Sequence, residues 1–286
     1  MRILVTGGHG QVGRVFATRG AQRGHDVATP SRNELDVCAP ELRERIRRFA
    51  PDVVINAAAY TGPDRVEANK DVAFAINADG AGRVANECAS LEVPLIHIST
   101  DYVFDGKGTR PYREDDPPAP LGVYGASKAA GEALVAAAGG TIVRTAWVFS
   151  AVGTNFVKLV VRLASEQKTL RIVRDQVGCP TWAGDLVDAL LSLSERAVTG
   201  LPHKIYHVCG DSPTSWYGFA NAIVEHLRAH REIACSEIKP IQTSEFPTAA
   251  ARPAYSVLDT SRVRALGIEA SAWQRALPHV VAELVA

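Results

Sequence analysis

Tyr124 and Lys128, four apart in the run YGASK, are the pair in this chain best suited to acid–base chemistry. On a helix, side chains at i and i+4 share one face. A phenol with its ordinary pKa near 10 exchanges protons poorly at neutral pH, and an ammonium beside it favours the phenolate. The same ammonium can hydrogen-bond a ribose. Thr100 and Asp101 follow the strand-like run Pro94–Ser99. A hydroxyl at the end of such a strand can hydrogen-bond a carbonyl oxygen and share its developing negative charge. Taken alone, Tyr-x-x-x-Lys is equally a surface pair, and Thr100 equally a strand end.

A second cluster lies at the start of the chain. Gly7-Gly8-His9-Gly10-Gln11-Val12-Gly13 follows a short apolar strand and opens a helix. Gly7 permits the turn, missing Cβ atoms let the backbone approach a pyrophosphate, and the helix start offers free N–H groups to its oxygens. The end of the second strand reads Thr29-Pro30-Ser31-Arg32, with no acid before Glu34. An acid there accepts from a ribose 2′-hydroxyl, whereas Arg32 matches a 2′-phosphate. NADPH is therefore favoured, with NADH as the alternative. Asp36 and Val37 suit the adenine side, Asp36 being equally an acid at a helix start.

These residues must be positioned by strands and helices in alternation. Strands are expected at Arg2–Thr6, His25–Thr29, Asp52–Asn56, Pro94–Ser99, Thr141–Thr145 and Ile205–Cys209. Helices are expected at Gln11–Arg23, Glu41–Phe49, Asn69–Leu91, Tyr124–Ala138, Asn155–Ser165, Gly184–Ala197 and Trp216–His230. Helical spacing places Val12, Val15, Phe16 and Ala17 inward on the first, and Val72, Ala75, Ile76, Val84 and Cys88 inward on the third. The alternation predicts an α/β fold with a Rossmann-type, doubly wound parallel sheet. It becomes irregular near residue 149. We therefore divide the chain into a dinucleotide-binding region, 1–148, and a smaller, mainly substrate-binding region, 149–286, some of whose segments return to the first. The stretch 104–120, rich in Gly, Pro and acids, reads as a mobile surface loop.

The bulk composition excludes several classes. The chain has 286 residues, 47 % of them hydrophobic, with 31 basic residues balancing 31 acidic ones. That argues against a disordered chain and against nucleic acid as a partner. No apolar run approaches the roughly 20 residues that span a bilayer, so no membrane association is expected. The start, MRILVTGGHGQVG, reads as a strand and lacks the features of a signal peptide. Five scattered cysteines form no C-x-x-C pair. A cytoplasmic location without a metal site is expected.

Further runs extend the pattern: NAAAYT (Asn56–Thr61), STDYVFDG (Ser99–Gly106), RTAWVF (Arg144–Phe149), GTNF (Gly153–Phe156), DQVGCPT (Asp175–Thr181) and RPAYSVLDT (Arg252–Thr260). With the glycine turn and YGASK, and in this order over essentially the whole chain, they resemble the dTDP-4-dehydrorhamnose reductase family of extended short-chain dehydrogenases/reductases. The resemblance implies Tyr124, Lys128 and Thr100 as catalytic residues. It implies cofactor contacts at Gly10, Gln11, Val12, Asp36, Val37, Ala59, Tyr60 and Thr61. It implies substrate contacts at Thr100, Asp101, Tyr124 and Trp147, with Asn155 and Arg252 as further candidates for the nucleotide sugar. Asn155 equally suits a helix cap, and Arg252 a solvated loop. The implied reaction is NADPH-dependent reduction of the 4-keto group of a dTDP-linked 4-keto-6-deoxyhexose, by a monomer or homodimer. The alternatives are a 4-ketoreductase of another deoxysugar pathway, a nucleotide-sugar epimerase or dehydratase, and a non-catalytic NADP-binding subunit. The chain departs from the family pattern in two places. Gly62-Pro63-Asp64 replaces a small residue, Val and Asp, and Arg14-Val15 stands where some members carry a metal-bridging Glu.

Overall fold

Alternation along the first strand sets the layering. Strand β1 (Arg2–Thr6) sends Ile3 and Val5 to one face of the sheet and Leu4 to the other. The computed structural model, which describes residues 1–286, continues that sheet through β2 (Asp26–Ala28), β3 (Val53–Asn56), β4 (Leu95–Thr100), β5 (Thr141–Thr145) and β6 (Ile205–His207). The strands lie parallel in the order β6-β5-β4-β3-β1-β2. One face carries the helices Gln11–Gln22 and Ala183–Ala197, with Phe16, Leu186 and Leu190 buried between them and the sheet. The other carries Leu42–Phe49, Lys70–Ser90 and Val123–Ala137, burying Ile46, Val84 and Val135. Helices on both faces explain why the central strands are almost uniformly apolar. The doubly wound sheet expected from the alternation is present. From β2 the chain crosses back over β1 to β3, so the switch point lies between the C-terminal ends of β1 and β3, where open α/β sheets bind ligands.

The helix expected over 69–91 runs through Lys70–Ser90 but changes pitch. Lys70–Phe74 and Ala81–Ser90 are α-helical, and Ala75–Gly80 is a π turn. The wider turn shifts the inward face. Ala73, Asn77, Ala81, Val84 and Cys88 are the buried row, while Val72, expected inside, is 45 % exposed, and Ala75 is exposed as well. On the first helix Phe16 is buried, but Val12, Val15 and Ala17 are only half-buried.

Beyond residue 149, β6 and the helix Ala183–Ala197 pack with the main sheet. A second layer contains helices Phe156–Glu166, Trp216–Arg228 and Trp273–Val285 against a parallel pair, Thr169–Val173 and Glu237–Ile241. Val160, Phe219, Leu227 and Leu277 are among its core residues. The last helix, which runs on through Pro278, goes unseen in the sequence because proline argues against a helix interior. The stretch 104–120 is pinned rather than loose. Tyr112 stacks on Phe104 at 4.3 Å and exchanges backbone hydrogen bonds with Val257 and Asp259, and Ala119 N–H donates to Val103. No helix is long and apolar enough to cross a membrane.

Candidate active site

The glycine turn sits at the switch point. Gly7 has φ +68°, in the left-handed region where glycine is favoured. A Cβ on Gly8 would lie 2.3 Å from the Thr29 carbonyl oxygen, so the turn holds β2 close only because that atom is missing. Gly10 precedes the first helix in an extended conformation, and no side chain caps it. The N–H groups of Gln11, Val12 and Gly13, in the first turn, therefore have no partner within the helix. These features fit a pyrophosphate. The Gln11 side chain is otherwise engaged, donating to Val148 O and accepting from Asn155 Nδ2 at 2.7 Å.

Past β2, Arg32 projects into solvent with 71 % of its side chain exposed, tethered by a 3.1 Å bond to Asp36. Burial raises the Asp36 pKa, but the Cys38 N–H and Arg32 outweigh it, and the net direction is down. Val37 is buried beside Gly80 of the π turn. After β3 the run Ala59-Tyr60-Thr61 is clamped by Asn77. Asn77 Oδ1 accepts from Tyr60 N–H (2.7 Å), and its Nδ2 donates to Tyr60 O and to Ser127 Oγ, both at 3.0 Å. Ser127 donates in turn to Tyr124 O at 2.9 Å. One buried amide thus ties the β3 loop to the helix that carries Tyr124.

That helix, Val123–Ala137, starts at Gly122 without a cap of its own. Glu67, from the short helix Pro63–Glu67, accepts from Val123 N–H at 3.0 Å and takes that place. Thr100 ends β4 and donates to Asp101 Oδ1 at 3.0 Å. Asp101 is buried, and its other oxygen has no partner. Burial pushes its pKa up to about 6 against the Ser256 and Thr100 hydroxyls. Burial, then the nearby Asp101 charge, push Tyr124 up to about 12. This corrects the expectation that Lys128 lowers the phenol. Lys128 Nζ turns to β4 instead, donating to Ile98 O at 2.6 Å and facing His97 Nε2 at 3.0 Å. Burial brings Lys128 down to about 8, with Glu132 opposing. A narrow cleft opens beside Tyr124, walled by Pro63, Tyr102, Leu121, Ala250 and Pro253 among others.

Trp147 has φ +47°, strained for an aromatic residue, and stacks on Trp216 with centroids 3.5 Å apart and planes 6° from parallel. Asn155 caps its helix by accepting from Lys158 N–H, and its Nδ2 donates to Gln11 and Ser150. Arg252 is bound to Asp64 at 2.7 Å, fastening the start of RPAYSVLDT to the helix that begins at Pro63. Both of these side chains are therefore already engaged within the protein.

A family model described as "RmlD substrate binding domain" matches residues 1–286. A dTDP-4-dehydrorhamnose reductase of Burkholderia thailandensis is 42 % identical, over 100 % of this chain and 99 % of its own. The chain belongs to the dTDP-4-dehydrorhamnose reductase family. The Bacillus subtilis spore coat polysaccharide biosynthesis protein SpsK is also similar, at 38 % identity over 99 % of this chain and 97 % of its own. Among solved structures, the dTDP-4-dehydrorhamnose reductase of Bacillus anthracis in complex with NADP has TM-score 0.91 and 34 % identity, covering 99 % of each chain.

Within this dTDP-4-dehydrorhamnose reductase family chain, sequence reasoning missed Asn77, Glu67 and Trp216. Asn77 looks like one more polar helix residue until the π turn directs it inward. Trp216 opens a helix after a Thr-Ser cap, Ser215 accepting from Gly218 N–H, and only the fold brings it to Trp147. Pro63, at the departure from the family pattern, lines the cleft beside Tyr124.

Proposed function

We propose that this chain reduces the 4-keto group of a dTDP-4-keto-6-deoxyhexose with NADPH, converting dTDP-4-dehydrorhamnose to dTDP-L-rhamnose in deoxysugar biosynthesis. It does so in the cytoplasm, as a monomer or homodimer. The observation that carries this reading is the Thr100–Asp101–Tyr124 cluster beside the cleft, at the sheet edge that also holds the glycine turn. Relatives named for this activity match over the full chain.

The backbone of Gly7, Gly10, Gln11 and Val12 holds the pyrophosphate, and Arg32 takes the 2′-phosphate. Asp36 and Val37 bound the adenine, and Ala59, Tyr60 and Thr61 pass beneath the dinucleotide. Bound NADPH supplies the hydride. The substrate carbonyl oxygen lies between Thr100 and Tyr124. A phenol held near pKa 12 stays protonated at neutral pH and is a donor, so Tyr124 gives its proton to that oxygen while the Thr100 hydroxyl, turned from Asp101 to the substrate, shares the charge. Lys128 holds the ribose. Asp101 and Trp147 contact the nucleotide sugar, to which most of 149–286 is devoted, and Asn155 and Arg252 join them by exchanging their Gln11 and Asp64 partners for it. Pro63 in the cleft wall favours one second reading, a 4-ketoreductase acting on another deoxysugar.

The test mixes the protein with dTDP-4-keto-6-deoxy-L-mannose and follows NADPH, then NADH, by absorbance. Stoichiometric NADPH oxidation is expected. Tyr124→Phe is expected to lose roughly 10²–10⁴-fold in kcat with NADPH affinity retained. Tight NADPH binding without oxidation of this sugar overturns the assignment, and full kcat in the variant overturns the role of Tyr124.

A further inference from the structure

Three neighbouring strands carry buried polar side chains in one register row. Thr6, Asn56 and His97 are register partners across β1, β3 and β4, each at most 1 % exposed. Hydrogen bonds run through them in a row. Thr6 Oγ1 donates to Asn56 Oδ1 at 2.6 Å, Asn56 Nδ2 meets His97 Nδ1 at 3.0 Å, and His97 Nε2 meets Lys128 Nζ at 3.0 Å. The row begins at the residue before Gly7 and ends at Lys128.

Its proton order follows from its fixed end. Asn56 Oδ1 receives both the Thr6 hydroxyl and, at 3.2 Å, the Ala58 N–H. Two donors orient the amide with its oxygen towards β1, which leaves Nδ2 to donate to His97 Nδ1. The ring proton of a neutral imidazole then lies on Nε2 and points at Lys128 Nζ. Only an uncharged amine has a lone pair to accept it, since an ammonium would face an N–H.

We propose that His97 is a positioning residue for Lys128: the His97 Nε2–H, oriented by Asn56, holds the lysine nitrogen against the middle of β4 and favours its uncharged form. The inference rests on the proposed function only in taking Lys128 to act beside Tyr124. The other titratable groups around Lys128 are few. Glu132, on its own helix, favours the ammonium but is paired with Arg144 of β5 at 2.7 Å. Tyr124 lies on the same helix, and Asp101 and Tyr102 follow β4. The helix Lys70–Ser90 contributes Asn77 from its π turn, while its Asp79 is exposed. Burial drives His97 well below its ordinary value, so the ring stays neutral.

Three measurements test this. In the imidazole ¹⁵N–¹H spectrum of the unmodified protein, His97 is expected as the Nε2–H tautomer, and the Nδ1–H tautomer overturns the proposal. The ¹³Cε resonance of Lys128, identified by its loss in Lys128→Met, is then titrated without ligands. In His97→Gln an amide oxygen can turn to Lys128 and accept from its ammonium, so the midpoint is expected to rise by about one pH unit. In His97→Asn, which keeps a partner for Asn56 but withdraws from Lys128, the midpoint also rises. An unchanged midpoint in either folded variant overturns the proposal. Finally, the alkaline limb of kcat is expected to follow the midpoint in His97→Gln, with KM for NADPH unchanged within about threefold. Tautomer and midpoint as expected in a protein that oxidises no NADPH sink the proposed function and leave the role of His97 standing. Turnover with an unmoved midpoint does the reverse.

Discussion

The side proposed to hold the cofactor and the side proposed to hold the sugar are built by different means. On the cofactor side, fit comes from backbone: a left-handed Gly7, a Gly8 pressed against Thr29, and an uncapped helix start. On the sugar side it comes from side chains brought together from distant segments. Trp147 lies on Trp216, Arg252 holds Asp64, and Asp101 is buried with one oxygen unpaired. A backbone site fails all at once when space is taken from it, whereas a side-chain site should lose affinity contact by contact. The largest effect is therefore expected from Gly8→Val. The added Cβ has only backbone to push against, and displacing the end of β2 should cost roughly 2–3 kcal/mol, on the order of 100-fold in NADPH affinity. Isothermal titration with NADPH checks it, and unchanged affinity in a folded variant would remove the basis of the comparison.

The same contrast explains what could be read from the sequence. The glycine turn, the strands β1 to β5 and the pair Tyr124/Lys128 are local patterns, and the structure places them within a residue or two of where spacing puts them. On Lys70–Ser90 the spacing holds after the π turn, at Val84 and Cys88, and fails at Val72 and Ala75, because the π turn breaks the 3.6-residue period on which the reading depends. Asn77, Glu67 and Trp216 leave no local trace, since each matters through a partner far away in the chain. The direction of the Tyr124 shift was also out of reach. It depends on burial and on Asp101, whereas spacing shows only that a lysine lies one turn away.

Asp101 should give the next largest effect, and one with a definite sign. Its folded-state pKa of about 6 lies above the ordinary 3.8, so the folded chain binds this proton more tightly than the unfolded chain does. That stabilisation is complete below about pH 4 and is lost as pH rises through 6. Asp101→Asn keeps the shape and stays neutral. It should gain roughly 2–3 kcal/mol on the native protein at pH 8 and almost nothing at pH 4. Urea unfolding at the two pH values reads the difference, and equal gains at both would show that the carboxyl is not charged at the cost the site implies.

A single contact on the sugar side should count for less. Trp216→Ala removes the plate under Trp147 and frees a residue held at φ +47°. Aromatic stacking is worth about 0.5–1.5 kcal/mol, so KM for the nucleotide sugar is expected to rise by up to about tenfold while KM for NADPH stays put. A rise in both would mean that the two sides are not separable. Near-UV circular dichroism should lose the signal of the coupled indole pair, which verifies that the stack exists in solution.

The smallest effect should come from the place where the cofactor side departs from its own rule. Arg32, proposed to read the cofactor through a charged side chain, is largely solvent-exposed and already tethered to Asp36. Water and salt screen such a charge, and exposed pairs are worth about 1 kcal/mol or less. Arg32→Ala should therefore raise KM for NADPH by only about three- to fivefold and leave KM for NADH unchanged, and added salt should shrink the difference. A loss approaching that of Gly8→Val would mean that Arg32 folds onto the 2′-phosphate and is desolvated there, making the choice between NADPH and NADH a side-chain decision even on the side otherwise built from backbone.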